Sequence, residues 1–372
     1  MQFDLWKHFG RLAACLVAGS ALAACGSASG APGIPQNEIA PPAAERAMTR
    51  PATFDAWRRS MIRTAFPGRG CFKASYPSLA WSRIQCTVPP PDVPSRQQIG
   101  VNKVGNGYDY GTDVAPSYIS TAVGSFPAVS GVKRIKTIGS TGSFSGNDSY
   151  SLQLNSNHFT TKACKHLKHC VGWQQFLFAN PTGSNTSYVY VQYWLLPAPG
   201  TSLSKCPPNA GWKFVQNAGC YQNGQQYADV PNQSVSKLDS ISLTGIADPS
   251  GDKVELASGG DMYGTTLQNA PITDLGKGWQ GAEFNIFGDL DDSEVQFNRG
   301  STVSVSIETE TGSSDAPACA ANAGTTGETN SLTLVSAPAK PSELEFPSVL
   351  FTESNAKGRG KASCDALKGS GT

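Results

Sequence analysis

The residue in this chain best suited to chemistry is Glu283. It sits in Gly281-Ala282-Glu283-Phe284-Asn285-Ile286-Phe287, where Ala282, Phe284 and Ile286 alternate with Glu283 and Asn285. Successive side chains of a strand point to opposite faces, so this segment offers an apolar face to a core and a carboxylate and an amide to the other side. Gly278-Trp279-Gln280-Gly281 leads into it. A second segment, Val171 to Phe178, carries Gln174 and Gln175, one of which must point away from the core. In a third, Tyr188, Tyr190, Gln192 and Trp194 share a face before the segment ends at Leu196-Pro197. A carboxylate can take a proton from water and return it to a leaving amine, while an amide donates a hydrogen bond to a developing oxyanion.

Other chemistries fit less well. No GxSxG elbow, P-loop, GxGxxG turn, HExxH or CxxC pair occurs in the chain, which argues against nucleotide, flavin and common serine-hydrolase readings. Beyond the leader the histidines are His158, His166 and His169. The last two lie inside Cys164-Lys165-His166-Leu167-Lys168-His169-Cys170, a loop too tight to wrap a tetrahedral ion and better read as a disulfide. Gly288 to Glu294 is an acidic turn without the spacing of a calcium loop, and reads as a solvated hairpin turn. If that turn joins a hairpin, the carboxylates of Glu283 and Glu294 stand about 13 Å apart. A glycosidase pair needs about 5 to 9.5 Å. Neither metal nor cofactor is expected. The chain has 29 basic and 28 acidic side chains, a formal +1, and this balance argues against nucleic acid as a partner.

A strand carrying a glutamine, an aromatic strand ending in proline and a late strand reading Ala282-Glu283-Phe284 together resemble the glutamic peptidases of the eqolisin type, which are secreted β-sandwich endopeptidases. The resemblance runs from Tyr150 to Val335. It implies that Glu283 is the catalytic carboxylate, that Gln174 or Gln175 is its amide partner, and that the substrate is polypeptide. Two strands depart from the family. Tyr150-Ser151-Leu152-Gln153-Leu154 stands where the family has a tryptophan-led, glycine-rich strand, and Gln192-Tyr193-Trp194 replaces a strand that has a glutamate. The competing reading is a non-catalytic surface module in which Tyr188, Tyr190, Gln192, Trp194 and Trp279 form a groove for glycan or extended peptide. A third is a structural envelope protein whose N-terminal helix docks a partner.

The elements that must position these residues are short. The 372 residues include 39 glycines and 25 prolines, so turns are many and helices few. Alternating segments punctuated by Gly, Asn, Ser and Asp predict an all-β, concanavalin-like antiparallel β-sandwich with a short N-terminal helix and a disulfide-looped extension. Thr53 can cap the helix, which buries Phe54, Trp57, Met61, Ile62 and Ala65 on one face and turns Arg58, Arg59 and Arg63 to the other. Lys7, His8 and Arg11 precede an apolar run ending in Leu22-Ala23-Ala24-Cys25-Gly26, which reads as a bacterial lipoprotein signal with Cys25 as the lipidated residue. The expected divisions are a signal peptide at 1–24, a flexible tether at 25–52, the helix and extension at 53–94, the sandwich at 95–337 and a tail at 338–372. The expected address is the bacterial cell envelope, as an outer-membrane lipoprotein held to the bilayer by its acyl chains. Eight further cysteines suit that oxidising space. Their spacing predicts nearest-neighbour pairs: Cys71 with Cys86, Cys164 with Cys170, Cys206 with Cys220, and Cys319 with Cys364.

Overall fold

A computed structural model of the chain describes residues 53–87, 104–139, 145–208, 211–224, 227–266, 272–289, 292–336, 345–357 and 360–370. All of them belong to one compact unit, 49–372. The expected signal peptide, Cys25 as the expected lipidation site and the whole of the tether expected at 25–52 lie outside the described residues.

Two large antiparallel sheets form a β-sandwich. The first has ten described strands. Across it lie β2 (Ser82–Ile84), β1 (Gly70–Ser75), β16 (Asp261–Thr266), β15 (Lys253–Ser258), β14 (Ser242–Ile246) and β5 (Thr121–Ser130). Then come β19 (Thr302–Glu310), β23 (Ser348–Ser354) and β22 (Thr333–Val335), with β24 (Cys364–Leu367) also on β23. The second sheet, again of ten described strands, runs β11 (Lys213–Val215), β12 (Gly219–Asn223), β10 (Thr186–Pro197), β9 (Cys170–Asn180), β8 (Tyr150–Ser156), β17 (Gly281–Phe287), β4 (Tyr110–Asp113) and β20 (Ala318–Ala321). There β13 (Tyr227–Pro231) pairs with both β10 and β3 (Cys86–Thr87). A small third sheet holds β21 (Thr329–Asn330), β18 (Glu294–Phe297), β6 (Ile135–Ile138) and β7 (Gly146–Asn147).

The alternation in sequence becomes two faces in space. Leu152, Leu154, Phe176, Phe178, Val189, Val191, Ala282, Phe284 and Ile286 turn inward to the core shared with Leu243, Leu256, Val303, Val305 and Phe351 of the first sheet. Two close approaches between the sheets need glycine. A Cβ at Gly124 would lie 2.1 Å from the Phe284 ring, and one at Gly245 would lie 2.3 Å from the Phe176 ring.

The helix α1 (Phe54–Ile62) starts at Thr53, whose hydroxyl accepts from the Ala56 N–H. It lays Trp57 and Met61 on Phe72, Ala74, Ala257 and Met262, a cluster on the outer side of the first sheet. Its arginines meet the protein's own acids, with Arg63 2.7 Å from Glu345.

Three placements differ from what the pattern suggested. Glu294 is not across a hairpin from Phe287, because β18 pairs with β6 and β21 rather than with β17. Residues 70–87, expected in an extension, add strands to both large sheets. Phe346 to Phe351, expected in a tail, feeds β23, which pairs with β19 inside the first sheet. Short strands flanked by proline and glycine carry too little periodicity to reveal such partners. All four expected disulfides are present: Cys71–Cys86, Cys164–Cys170, Cys206–Cys220 and Cys319–Cys364. Such a set suits an oxidising, extracellular or envelope location. Among the described residues no helix is long and apolar enough to cross a membrane.

Candidate active site

The outer face of the second sheet carries a row of polar side chains at one level. Glu283 on β17 is paired with Asn155 on β8, Asn155 with Gln175 on β9, Gln175 with Gln192 on β10, and Gln192 with Asn223 on β12. Cross-strand partners point to the same face, so register alone decides between the two glutamines. Gln175 shares the face of Glu283. Gln174 points the other way, where its Oε1 accepts from the Thr273 hydroxyl at 2.6 Å.

Glu283 and Gln175 do not touch, because β8 lies between them and puts their backbones about 9.5 Å apart. Asn155 bridges the gap. Its Nδ2 donates to Glu283 Oε2 at 3.1 Å, and its Oδ1 accepts from Gln175 Nε2 at 3.0 Å. Gln175 Nε2 also donates to Gln153 Oε1 at 3.0 Å, so both its hydrogens are engaged. The amide beside the carboxylate is therefore Asn155, and Gln175 orients it.

The two oxygens of Glu283 have different surroundings. Oε2 accepts from the Thr325 N–H at 2.8 Å and the Thr325 hydroxyl at 2.7 Å, besides Asn155. Trp173 Nε1 in turn donates to that hydroxyl at 3.1 Å. Oε1 is buried and makes no regular hydrogen bond, although the Thr326 N–H lies close enough to the carboxyl to pull its pKa down. The loop carrying Thr325 follows β20 and passes directly over the carboxylate. A Cβ at Gly324 would come within 2.7 Å of Gly107 N and 3.3 Å of Glu283 Oε1, so glycine permits that approach. Glu283 is 1% exposed, and burial pushes its carboxyl above the usual range against the opposing pull of Thr325 and Asn155.

Glu283 borders a cavity of about 370 Å³ at the end of the sheet where β8 finishes and β17 begins. Thr112, Asp113, Asn157, His158, Gln280 and Thr325 are among its walls. The Asn157 amide is spent on the carbonyls of His158 and Gly278, and its oxygen accepts from the N–H groups of Gln280 and Gly281. The Gln280 side chain makes no hydrogen bond among the described residues, so its amide is available to a ligand. His158 is held below its usual pKa by burial and stays neutral more readily.

Behind Glu283 lies a second set of acids. Asn285, two residues along the same face, donates to Asp109 Oδ2 at 3.1 Å and to Glu353 Oε1. Asn330 donates to Glu353 Oε2 at 3.0 Å. Burial, with the charges of Glu353 and Glu283, drives the Asp109 carboxyl well above its ordinary value, and burial lifts Glu353 to about 7. Among the described residues no set of three or more His, Cys, Asp or Glu side chains is arranged to hold a metal ion.

The expected aromatic groove is divided. Trp279 is fully buried in the core between the sheets, its ring 5.5 Å from that of Phe176, so it faces away from the other four. The reason is that its strand has not yet begun, and the chain from Leu275 to Trp279 folds inward as a short 3-10 turn. Tyr190, Gln192 and Trp194 do share a face but are covered. Tyr227 lies 4.4 Å from Tyr190, Tyr221 stacks 5.4 Å from Trp194, and Gln192 is closed between Asn223 and Trp194. Tyr188 is half-buried beside Tyr227.

Sequence reasoning passed over Asn155, Gln280 and Thr325. Asn155 was open to it, because Ser151, Gln153 and Asn155 alternate with Leu152 and Leu154. Thr325 lies in a loop whose path no periodicity encodes. No protein-family model matches the chain, and no curated protein matches its sequence.

Proposed function

We propose that the protein is an exported, lipid-anchored hydrolase that cuts polypeptide in acid, in the manner of the glutamic peptidases it resembles. The observation that carries this reading is the asymmetry of Glu283: one carboxylate oxygen held by three donors, the other buried without a regular hydrogen bond at the border of a cavity. A carboxylate so held keeps one fixed lone pair for a proton.

In this reading Oε1 takes a proton from a water in the cavity as that water's oxygen bonds to the peptide carbonyl carbon. The carbonyl oxygen gains negative charge, and we assign the donor that meets it to the Gln280 amide of the cavity wall. The C–N bond then breaks, and the proton on Glu283 passes to the leaving nitrogen. Asn155 and Thr325 keep the carboxyl from rising further in pKa. Gln175 acts through Asn155 and fixes which way that amide points. In this reading Gln280 takes the amide role that the resemblance gives to Gln174 or Gln175, and Gln175 is a positioning residue. The lipoprotein signal and the disulfides support an address in the bacterial envelope, with Cys25 as the lipidated residue and the outer membrane as the site.

The test is digestion of a denatured protein mixture between about pH 3 and 5 by the wild type and by Glu283→Gln, with peptides identified by mass spectrometry. Cleavage by the wild type that disappears in the variant is expected. A folded wild type that cuts nothing across this range overturns the reading.

A further inference from the structure

From Ser149 to Ala228 the chain contains no Asp or Glu, yet it holds Lys162, Lys165, Lys168, Lys205 and Lys213 together with His158, His166 and His169. In a chain of formal charge +1 this is a marked segregation. Topology concentrates it further. The start of β9 at Cys170, the end of β10 at Pro197 and the start of β12 at Gly219 lie side by side, because Cys170 pairs with Pro197 and Leu195 with both Gly172 and Cys220. Lys162, Lys165 and Lys168 stand on the loop stapled by Cys164–Cys170, next to this end. Lys205 adjoins Cys206, which is bonded to Cys220, and Lys213 lies over the Tyr221 ring. All five lysines are exposed, and none forms an ion pair among the described residues.

The cavity opens at the same end of the same sheet. β8 is antiparallel to β9, so its last residue, Ser156, lies beside the start of β9, and the chain leaves the cavity wall at Asn157 and His158 to enter the basic loop. From β17 across β8, β9 and β10 to β12 is four strand spacings, about 19 Å, or roughly six residues of extended chain.

We propose that this cationic end is a recruitment surface for acidic polypeptide, which it draws toward the Glu283 cavity; this substrate class rests on the hydrolytic reading above. The continuity of surface and cavity favours a peptide substrate over a lipid headgroup. A substrate with Asp or Glu placed about three to six residues to one side of the cut bond spans both. The surface steers and holds, and the bond-breaking groups are unchanged.

Binding is read apart from cleavage by fluorescence anisotropy with the full-length Glu283→Gln protein at about pH 5.5, where carboxylates remain ionised. The probes are a labelled Glu-rich decapeptide, its Gln counterpart and its Lys counterpart. The expected result is that the acidic peptide binds at least about tenfold tighter than the neutral one, and that 0.5 M salt, at roughly a 4 Å screening length, removes the difference. A Lys162→Ser/Lys165→Ser/Lys168→Ser variant loses it too, a triple Lys→Arg variant keeps it, and all retain the wild-type circular dichroism. On the wild-type background the serine variant still cuts neutral peptides. Equal binding of acidic and neutral peptides, or an unchanged serine variant, overturns the proposal. So does lysine-dependent binding to phosphatidylglycerol vesicles without binding of the acidic peptide. Lysine-dependent capture by a wild type that never cleaves supports the surface and overturns the hydrolytic reading.

Discussion

At the residue scale the site turns on how one carboxyl group is balanced. Burial raises the pKa of Glu283, and the Thr325 N–H, the Thr325 hydroxyl and the Asn155 amide pull it back. Thr325→Val deletes the hydroxyl with little change of volume. The carboxyl then rises further, because a donor to its charged form is gone. The expected outcome is an acid limb of the pH–rate profile displaced upward, with the peptides produced unchanged. A profile that falls in height without moving would mean that Thr325 serves only to hold the loop. Gln280→Ala tests the proposed oxyanion donor. Its expected loss is about 10² to 10³ in kcat, with KM little altered.

At the scale of elements the loop over Glu283 is held from both ends. It leaves β20, an edge strand of the second sheet, and returns through β21 in the small sheet. Cys319 on β20 is bonded to Cys364 on β24, which lies on the first sheet, so this disulfide ties the two layers together just before the loop. It closes a sequence separation of 45 residues. In the chain-entropy description such a loop contributes about 4 kcal/mol. Replacing both cysteines by serine should therefore lower the melting temperature by several degrees or more in calorimetry. Activity should fall further than the fraction unfolded explains, since Thr325 is released with the strand. Activity per folded molecule equal to the wild type's would show that the small sheet alone positions the loop.

At the scale of the whole molecule, buried acids outnumber the cations that meet them among the described residues. Asp109, Asp252, Glu255, Glu283 and Glu353 are all buried with carboxyls raised chiefly by burial, Asp252 and Glu353 to about 7. An unfolded Asp or Glu titrates near 4. A group whose folded pKa is raised stabilises the native state fully below the unfolded value and loses that contribution as pH climbs through the folded one. Stability should thus be highest near pH 4 and decline through pH 7, with Asp252 and Glu353 both contributing to the fall. Calorimetric melting at pH 4, 5.5, 7 and 8 checks this, and a flat or rising series refutes it. The same property suits the acid hydrolysis proposed above.

Much of this could be read in the order of residues. The alternation of apolar and polar side chains made the β-sandwich legible, and close cysteine spacing made the four disulfides legible, because both are local consequences of strand geometry and chain entropy. Glu283 stood out for the same reason, as a carboxylate on the polar side of an apolar strand. What tertiary structure alone decided was register and coverage. Whether Gln174 or Gln175 shares the face of Glu283 depends on how β9 aligns with β8, and apolar residues flank both glutamines. The packing of Tyr190, Gln192 and Trp194 against side chains of the neighbouring strands β12 and β13, the turning of Trp279 into the core, and the passage of Thr325 over the carboxylate are set by contacts between segments far apart in sequence. Those contacts depend on how the two sheets and their loops pack, which no single segment's periodicity records.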